Sequence, residues 1–235
     1  MNTRELRQST RLIWEAALNA ANPATCIRNF IQTHDGVFSA GGKERPINGR
    51  LIVIGAGKPS ARMAQVVEEI LGSSITGGLV VTKYGHALAL QRIKLAEAGH
   101  PIPDAAGLRA VQETRELLRG LTRDDIVLCL LSGGGSALWP APAEGITLEE
   151  KQEVTHLLLR AGATIREMNA VRKHLSDMKG GQLVRWAAPA HVISLIISDV
   201  IGDALDFIAS GPTAPDTTSF SDALSIIQKY GLQVP

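Results

Sequence analysis

Ser132-Gly133-Gly134-Gly135-Ser136 sets three glycines in a row between two hydroxyls. Consecutive residues without a Cβ let backbone N–H groups lie close against a ligand, and the flanking hydroxyls add donors, so the run suits a phosphate or a carboxylate. Gly55-Ala56-Gly57-Lys58 delivers a lysine after a second glycine turn. A third stretch, NAVRKHLSDMKGG, concentrates Arg172, Lys173, His174 and Lys179 ahead of Gly180-Gly181. Asp199, in SDVIGD, could hold Mg²⁺ or take a proton from a substrate hydroxyl. His100, set before Pro101, could meet a substrate, and Ala209-Ser210-Gly211-Pro212-Thr213 supplies a further glycine turn with two hydroxyls. Nests and cations to neutralise phosphate, a metal to bridge it and an acid to orient a hydroxyl are what phosphoryl transfer needs. Each element also has a plainer reading. Gly55–Lys58 could be a tight strand–helix turn, the basic run a solvated helix face, and Asp199, Asp203 and Asp206 helix caps.

Other chemistries fit less well. A dinucleotide fingerprint wants Gly or Ala at position 60 and an acid after the second strand, where this chain has Ser60 and Thr82-Lys83. A P-loop needs four residues between its glycines, and one separates Gly55 from Gly57. A nucleophile elbow would put serine between glycines, whereas Ser132 and Ser136 flank them.

The elements that must position these residues follow from hydrophobic periodicity. Apolar runs predict strands over 51–54, 78–82, 92–99, 126–131 and 191–198. Amphipathic patterns predict helices over 3–21 (capped by Thr3), 59–71, 105–119 (capped by Asp104), 147–161, 179–187 and 221–231, with a polar loop over 35–49. Strands that are apolar throughout and separated by helices point to a doubly wound α/β fold, a mostly parallel sheet with helices on both faces. Ligands of such sheets sit beyond the carboxyl ends of the strands, where the glycine turns after the 51–54 and 126–131 strands fall and where the others are expected to gather.

Composition narrows the class further. Lys+Arg 24 against Asp+Glu 23 gives a net charge of +1, so no basic field draws in nucleic acid or an anionic membrane. Aromatics at 4% offer no stacking platform for single strands. Cys26 and Cys129 read as reduced core thiols, and the charged start MNTRELRQSTR has no apolar signal-peptide core, so a cytoplasmic setting is expected.

GAGK (55–58), EAGHPIPD (97–104), LLSGGGSAL (130–138), NAVRKHLSDMKGGQL (169–183) and SDVIGDALDFIASGPTAPD (198–216) together closely resemble the bacterial and archaeal type of glycerate 2-kinase. Many members of that family were labelled hydroxypyruvate reductase, and its C-terminal domain is called MOFRL. The likeness runs over nearly the whole chain in the family's order. It implies phosphorylation of D-glycerate to 2-phosphoglycerate with ATP and Mg²⁺, in a cleft between two domains. It implies catalytic roles for Lys58, Arg172 and Asp199, with Asp199 on the metal. Gly55, Gly57, the run Ser132, Gly133, Gly134, Gly135, Ser136, and Lys179, Gly180 and Gly181 would bind the cofactor. Family members are longer, so the resemblance implies that 1–235 is a single Rossmann-like N-terminal domain, with the MOFRL-type domain and its basic residue absent. A homodimer stays open. So do two other readings: an NAD(P)H-dependent reductase, with Lys83 on a 2′-phosphate, and an inactive nucleotide- or anion-binding domain.

Overall fold

The computed structural model describes residues 2–235. It opens with α1 (Thr3–Ala20) and α2 (Pro23–Phe30), followed by a small antiparallel sheet of β1 (Ile31–His34), β2 (Val37–Ala40) and β3 (Lys43–Pro46). The main sheet is built from β4 (Leu51–Ala56), β5 (Gly77–Lys83), β6 (Lys94–Ala98), β7 (Ile126–Ser132) and β8 (His191–Ile197), all parallel in the order β6-β5-β4-β7-β8. Between them run α3 (Ser60–Leu71), α4 (Ala105–Leu117), the four-residue α5 (Gly135–Leu138), α6 (Leu148–Arg160), α7 (Ile165–His174) and α8 (Gln182–Ala187); α9 (Phe220–Lys229) comes last.

β4 and β7 are buried along their whole length. They are apolar on both sides because both faces of the sheet are covered. Ile52 and Ile54 pack with Val111 of α4, Leu138 of α5 and Leu183 of α8. Their strand neighbours Leu51 and Val53 pack with Met63 and Val67 of α3 and Ile27 of α2 on the other face. A third cluster (Val154, Leu158, Met168, Val171 and Ala223) joins α6, α7 and α9 into a separate helical layer.

From β4 the chain winds outward to β6, then crosses back to lay β7 on the other side of β4. The loops after β4 and β7 therefore leave the sheet side by side in opposite directions, opening a crevice at the strands' carboxyl ends. At the opposite end Asp125 ties the two strands together. It accepts the Arg50 N–H at 2.6 Å and the Thr122 N–H at 2.6 Å, and it pairs with the Arg50 guanidinium at 3.1 Å. Burial alone would raise its pKa, but these donors hold it far below the usual carboxylate range.

The predicted strands and most helices are present, with ends moved by a few residues. Asn2, not Thr3, caps α1, accepting the Glu5 N–H at 2.9 Å. Asp104 caps α4 as predicted, accepting the Gly107 N–H at 3.0 Å. The helix expected over 179–187 begins at Gln182, because Lys179–Gly181 form a turn. The supposed loop 35–49 holds β2 and β3 instead, and Cys26 is only half-buried. Among the described residues no helix is long and apolar enough to cross a membrane.

Candidate functional site

A cleft of about 470 Å³ opens at the crevice between the β4 and β7 loops. Gly133, Gly134 and Ser136 form part of its wall, and His100 enters from the loop after β6. The helical layer supplies Lys151 from α6, then Asn169 and Arg172 from α7, one turn apart on the same face. Lys179, Asp199 and Ser210 complete the polar lining.

The three glycine turns differ in what their amides do. Among the described residues, the N–H groups of Gly133, Gly134 and Gly135 donate to no protein acceptor. Those of Gly180 and Gly181 donate to the Ser210 and Gly211 carbonyls at 3.1 and 2.8 Å. The Gly57 N–H donates to Val81 O at 3.1 Å and the Lys58 N–H to Gly133 O at 3.0 Å. Only the 133–135 turn therefore keeps its donors open. The helix after it, α5, is too short for its dipole to matter much, so the open amides themselves make the nest.

Two of its glycines are required where they stand. A Cβ at Gly133 would run into the Asp199 carboxylate, so Asp199 rests directly on the loop. Gly134 has φ 91°, and a Cβ there would sit 3.1 Å from the His100 ring and 3.3 Å from Lys58 Cγ. Lys58 itself is exposed and lies beside the loop, outside the cleft lining. Thr82 fixes it from below, donating its hydroxyl to Lys58 O at 2.9 Å.

Of the predicted residues, the cleft thus gathers Gly133, Gly134, Ser136, Arg172, Lys179 and Asp199. Gly55 is inside β4 with Leu130 against it, and Gly57, Gly135 and Ser132 are buried behind the loop. The Ser132 hydroxyl has no hydrogen-bond partner among the described residues. Gly180 and Gly181 are turned away, Gly180 against Asp216.

Three basic side chains and one carboxylate line the cleft. Lys179 is 1% exposed and donates to Ser136 O at 3.0 Å and Trp139 O at 2.8 Å. Burial first, then Lys151 and Arg172, drive its pKa well below the ordinary lysine value. Lys151 donates to Leu175 O at 2.9 Å. Burial lowers its pKa to about 7, with Asp177 favouring the charged form and Arg172 opposing it. Burial also lowers the pKa of Arg172, which has no hydrogen bond or ion pair among the described residues. Burial, followed by Lys58 and Lys83, lowers His100 and keeps its ring neutral near pH 7. Lys151 and Lys179 spend donors on backbone carbonyls, so Arg172 is the cation of this wall left without a partner among the described residues, and it calls for an anion.

Asp199 is exposed and makes no hydrogen bond or ion pair among the described residues. No group of three His, Cys, Asp or Glu that could hold a metal occurs among them either. A lone carboxylate over an anion nest fits Mg²⁺, which keeps its waters and is usually held by one or two carboxylates plus substrate phosphates.

Lys151, Asn169 and Ser210 were not singled out as site residues from sequence. Lys151 sits in LEEKQEV, within the helix predicted over 147–161, where nothing local marks it as buried. Ser210 and Asn169 lay within noted stretches, but nothing in their spacing pairs them across 41 residues.

The fold and cleft define an α/β domain with a polar cleft, walled by glycine turns and basic side chains, at the switch point of a parallel sheet. Residues 9–235 match the family described as Domain of unknown function (DUF4147), and the chain belongs to it. It is 44% identical over 232 residues to Glycerate 2-kinase from Pyrococcus horikoshii, covering 99% of this chain and 51% of that protein. It is 45% identical over 229 residues to an Agrobacterium vitis protein carrying hydroxypyruvate reductase in its name, covering 97% and 50%. It superposes on the crystal structure of Glycerate kinase from Thermotoga maritima with a TM-score of 0.88 at 39% identity, covering 99% and 53%. The chain spans about half the length of the curated relatives it matches.

Proposed function

We propose that this chain carries the glycine-nest side of a glycerate 2-kinase site, which transfers the γ-phosphoryl group of ATP to the C2 hydroxyl of D-glycerate. The observation that carries the reading is the open amides of Gly133 and Gly134 in one cleft with Lys151, Lys179 and Arg172, with Asp199 resting on the loop. The names of the relatives support the same chemistry.

Arg172, planar and unpaired, takes the substrate carboxylate through two parallel N–H bonds. The nest amides and the flexible Lys58 receive phosphate oxygens. Asp199 accepts the C2 hydroxyl proton as that oxygen bonds to the γ-phosphorus and the bond to the β–γ bridging oxygen breaks, releasing ADP. Mg²⁺, when bound, neutralises the phosphate oxygens, and Asp199 is the residue that would hold it.

A dinucleotide reading has less support, because the strand-end position where an acid would bind ribose is Thr82, already donating to Lys58 O. Thermal unfolding of the chain with D-glycerate, MgATP and NADPH added separately tests the proposal. A ligand at 100 times its Kd adds about 2.7 kcal/mol of stability. Stabilisation by D-glycerate or MgATP and none by NADPH is expected. Stabilisation by NADPH alone overturns it.

A further inference from the structure

Asn169 is 3% exposed yet lines the cleft. Its Oδ1 accepts the Ser210 hydroxyl at 3.1 Å, and Ser210 Oγ lies 2.9 Å from Ser136 Oγ. A serine hydroxyl carries one proton. With the Ser210 proton given to Asn169, the Ser136 hydroxyl must donate to Ser210. The relay runs Ser136 to Ser210 to Asn169, and it leaves two groups over. Asn169 Nδ2 is a donor with no acceptor among the described residues, and Ser136 Oγ keeps an open lone pair. Turning the amide over reverses the relay but leaves the same complement, one donor and one acceptor.

That complement suits an alcohol, which both gives and takes a hydrogen bond; a carboxylate or phosphate oxygen only accepts. The relay is also held firmly. Ala209 and Ser210 keep non-glycine backbones at φ 52° and 60°, and the Gly180 N–H clamps the Ser210 carbonyl at 3.1 Å. Arg172 stands three residues beyond Asn169 on α7, so their Cβ atoms are about 5–6 Å apart, the scale of a three-carbon acid.

We propose that Ser136, Ser210 and Asn169 form the subsite that reads the non-reacting hydroxyl of the acceptor, selecting 2-hydroxy acids with a second hydroxyl over plain ones. This rests on the glycerate reading above. The test is the affinity of the chain for D-glycerate and for D-lactate, which lacks that hydroxyl, measured by calorimetry on wild type, Asn169→Ala and Ser136→Ala. Wild type should favour D-glycerate by roughly 10- to 100-fold, since D-lactate leaves a buried polar pair unmatched. Either variant should bring the two affinities within about threefold once one partner of the pair is gone. Ser136→Ala, at a half-buried position, keeps the test sound if the buried Asn169→Ala does not fold. Equal wild-type affinities, or a preference that survives substitution, sink the subsite and leave the glycerate reading standing. Binding of neither acid sinks both.

Discussion

Gly133-Gly134-Gly135 and Gly180-Gly181 look alike as sequence, each a glycine run beside a basic or hydroxyl side chain, yet they have opposite uses. The first keeps its N–H groups free of protein acceptors, among the described residues, beside a cleft lined by Lys151, Arg172, Lys179 and Asp199; the second spends them on the Ser210 and Gly211 carbonyls. The closed turn buttresses the 209–211 segment, and the open one lines the cleft. Glycine content alone says that a backbone can come close to something. Whether that something is a ligand or another backbone depends on which carbonyls the tertiary fold brings near.

The contrast can be broken experimentally, in decreasing order of effect on anion affinity. Gly133→Ala should weaken D-glycerate and MgATP binding by on the order of 100-fold, since its Cβ displaces Asp199 and the donors around it. Titration calorimetry reads this directly. Arg172→Ala should weaken D-glycerate binding by roughly 10- to 100-fold, and Arg172→Lys should recover only part, because an ammonium lacks the fork.

A smaller effect is expected from pH. The folded-state pKa of Lys151 is about 7, below its ordinary value of 10.5, so the unfolded chain binds more protons between those limits. Stability of the free protein should therefore rise with pH across that window, with Lys179 acting in the same direction. Anion affinity should run the other way, strengthening as pH falls through Lys151's titration. Lys151→Met should flatten both trends in melting curves and binding isotherms. Least of all, Gly180→Ala should leave affinity within about twofold while lowering the melting temperature by roughly 2–8 °C, from left-handed strain and the Asp216 contact. Loss of binding in Gly180→Ala would make the two turns equivalent after all.

Much of the sheet was legible because its strands are continuous apolar runs such as IVLCLL, which only a doubly covered sheet tolerates. The small sheet escaped notice because β3, KERP, is exposed at every position and has no apolar face to announce it. Its signal lay in the two-residue turns Asp35-Gly36 and Gly41-Gly42, which are hairpin dipeptides. Helix α7 was masked by the basic run, although Thr164 with Glu167 makes a capping box that marks its start. In the site, Asp199, Arg172 and the triple glycine could be found because strand ends and charge are local properties. Lys151 and the Asn169–Ser210 pair could not, since burial and partnership across 41 residues are made only by packing.

The hydrogen bond from the Lys58 N–H to the Gly133 carbonyl has a geometric corollary. In a planar trans peptide the carbonyl and the following N–H point in opposite directions. Anchoring the Gly133 oxygen toward the lysine loop therefore aims the Gly134 N–H away from it. One strand's turn thus acts as the sighting mark for the other, and a disturbance near Lys58 would be felt at the nest as a rotated dipole, with no side chain having moved.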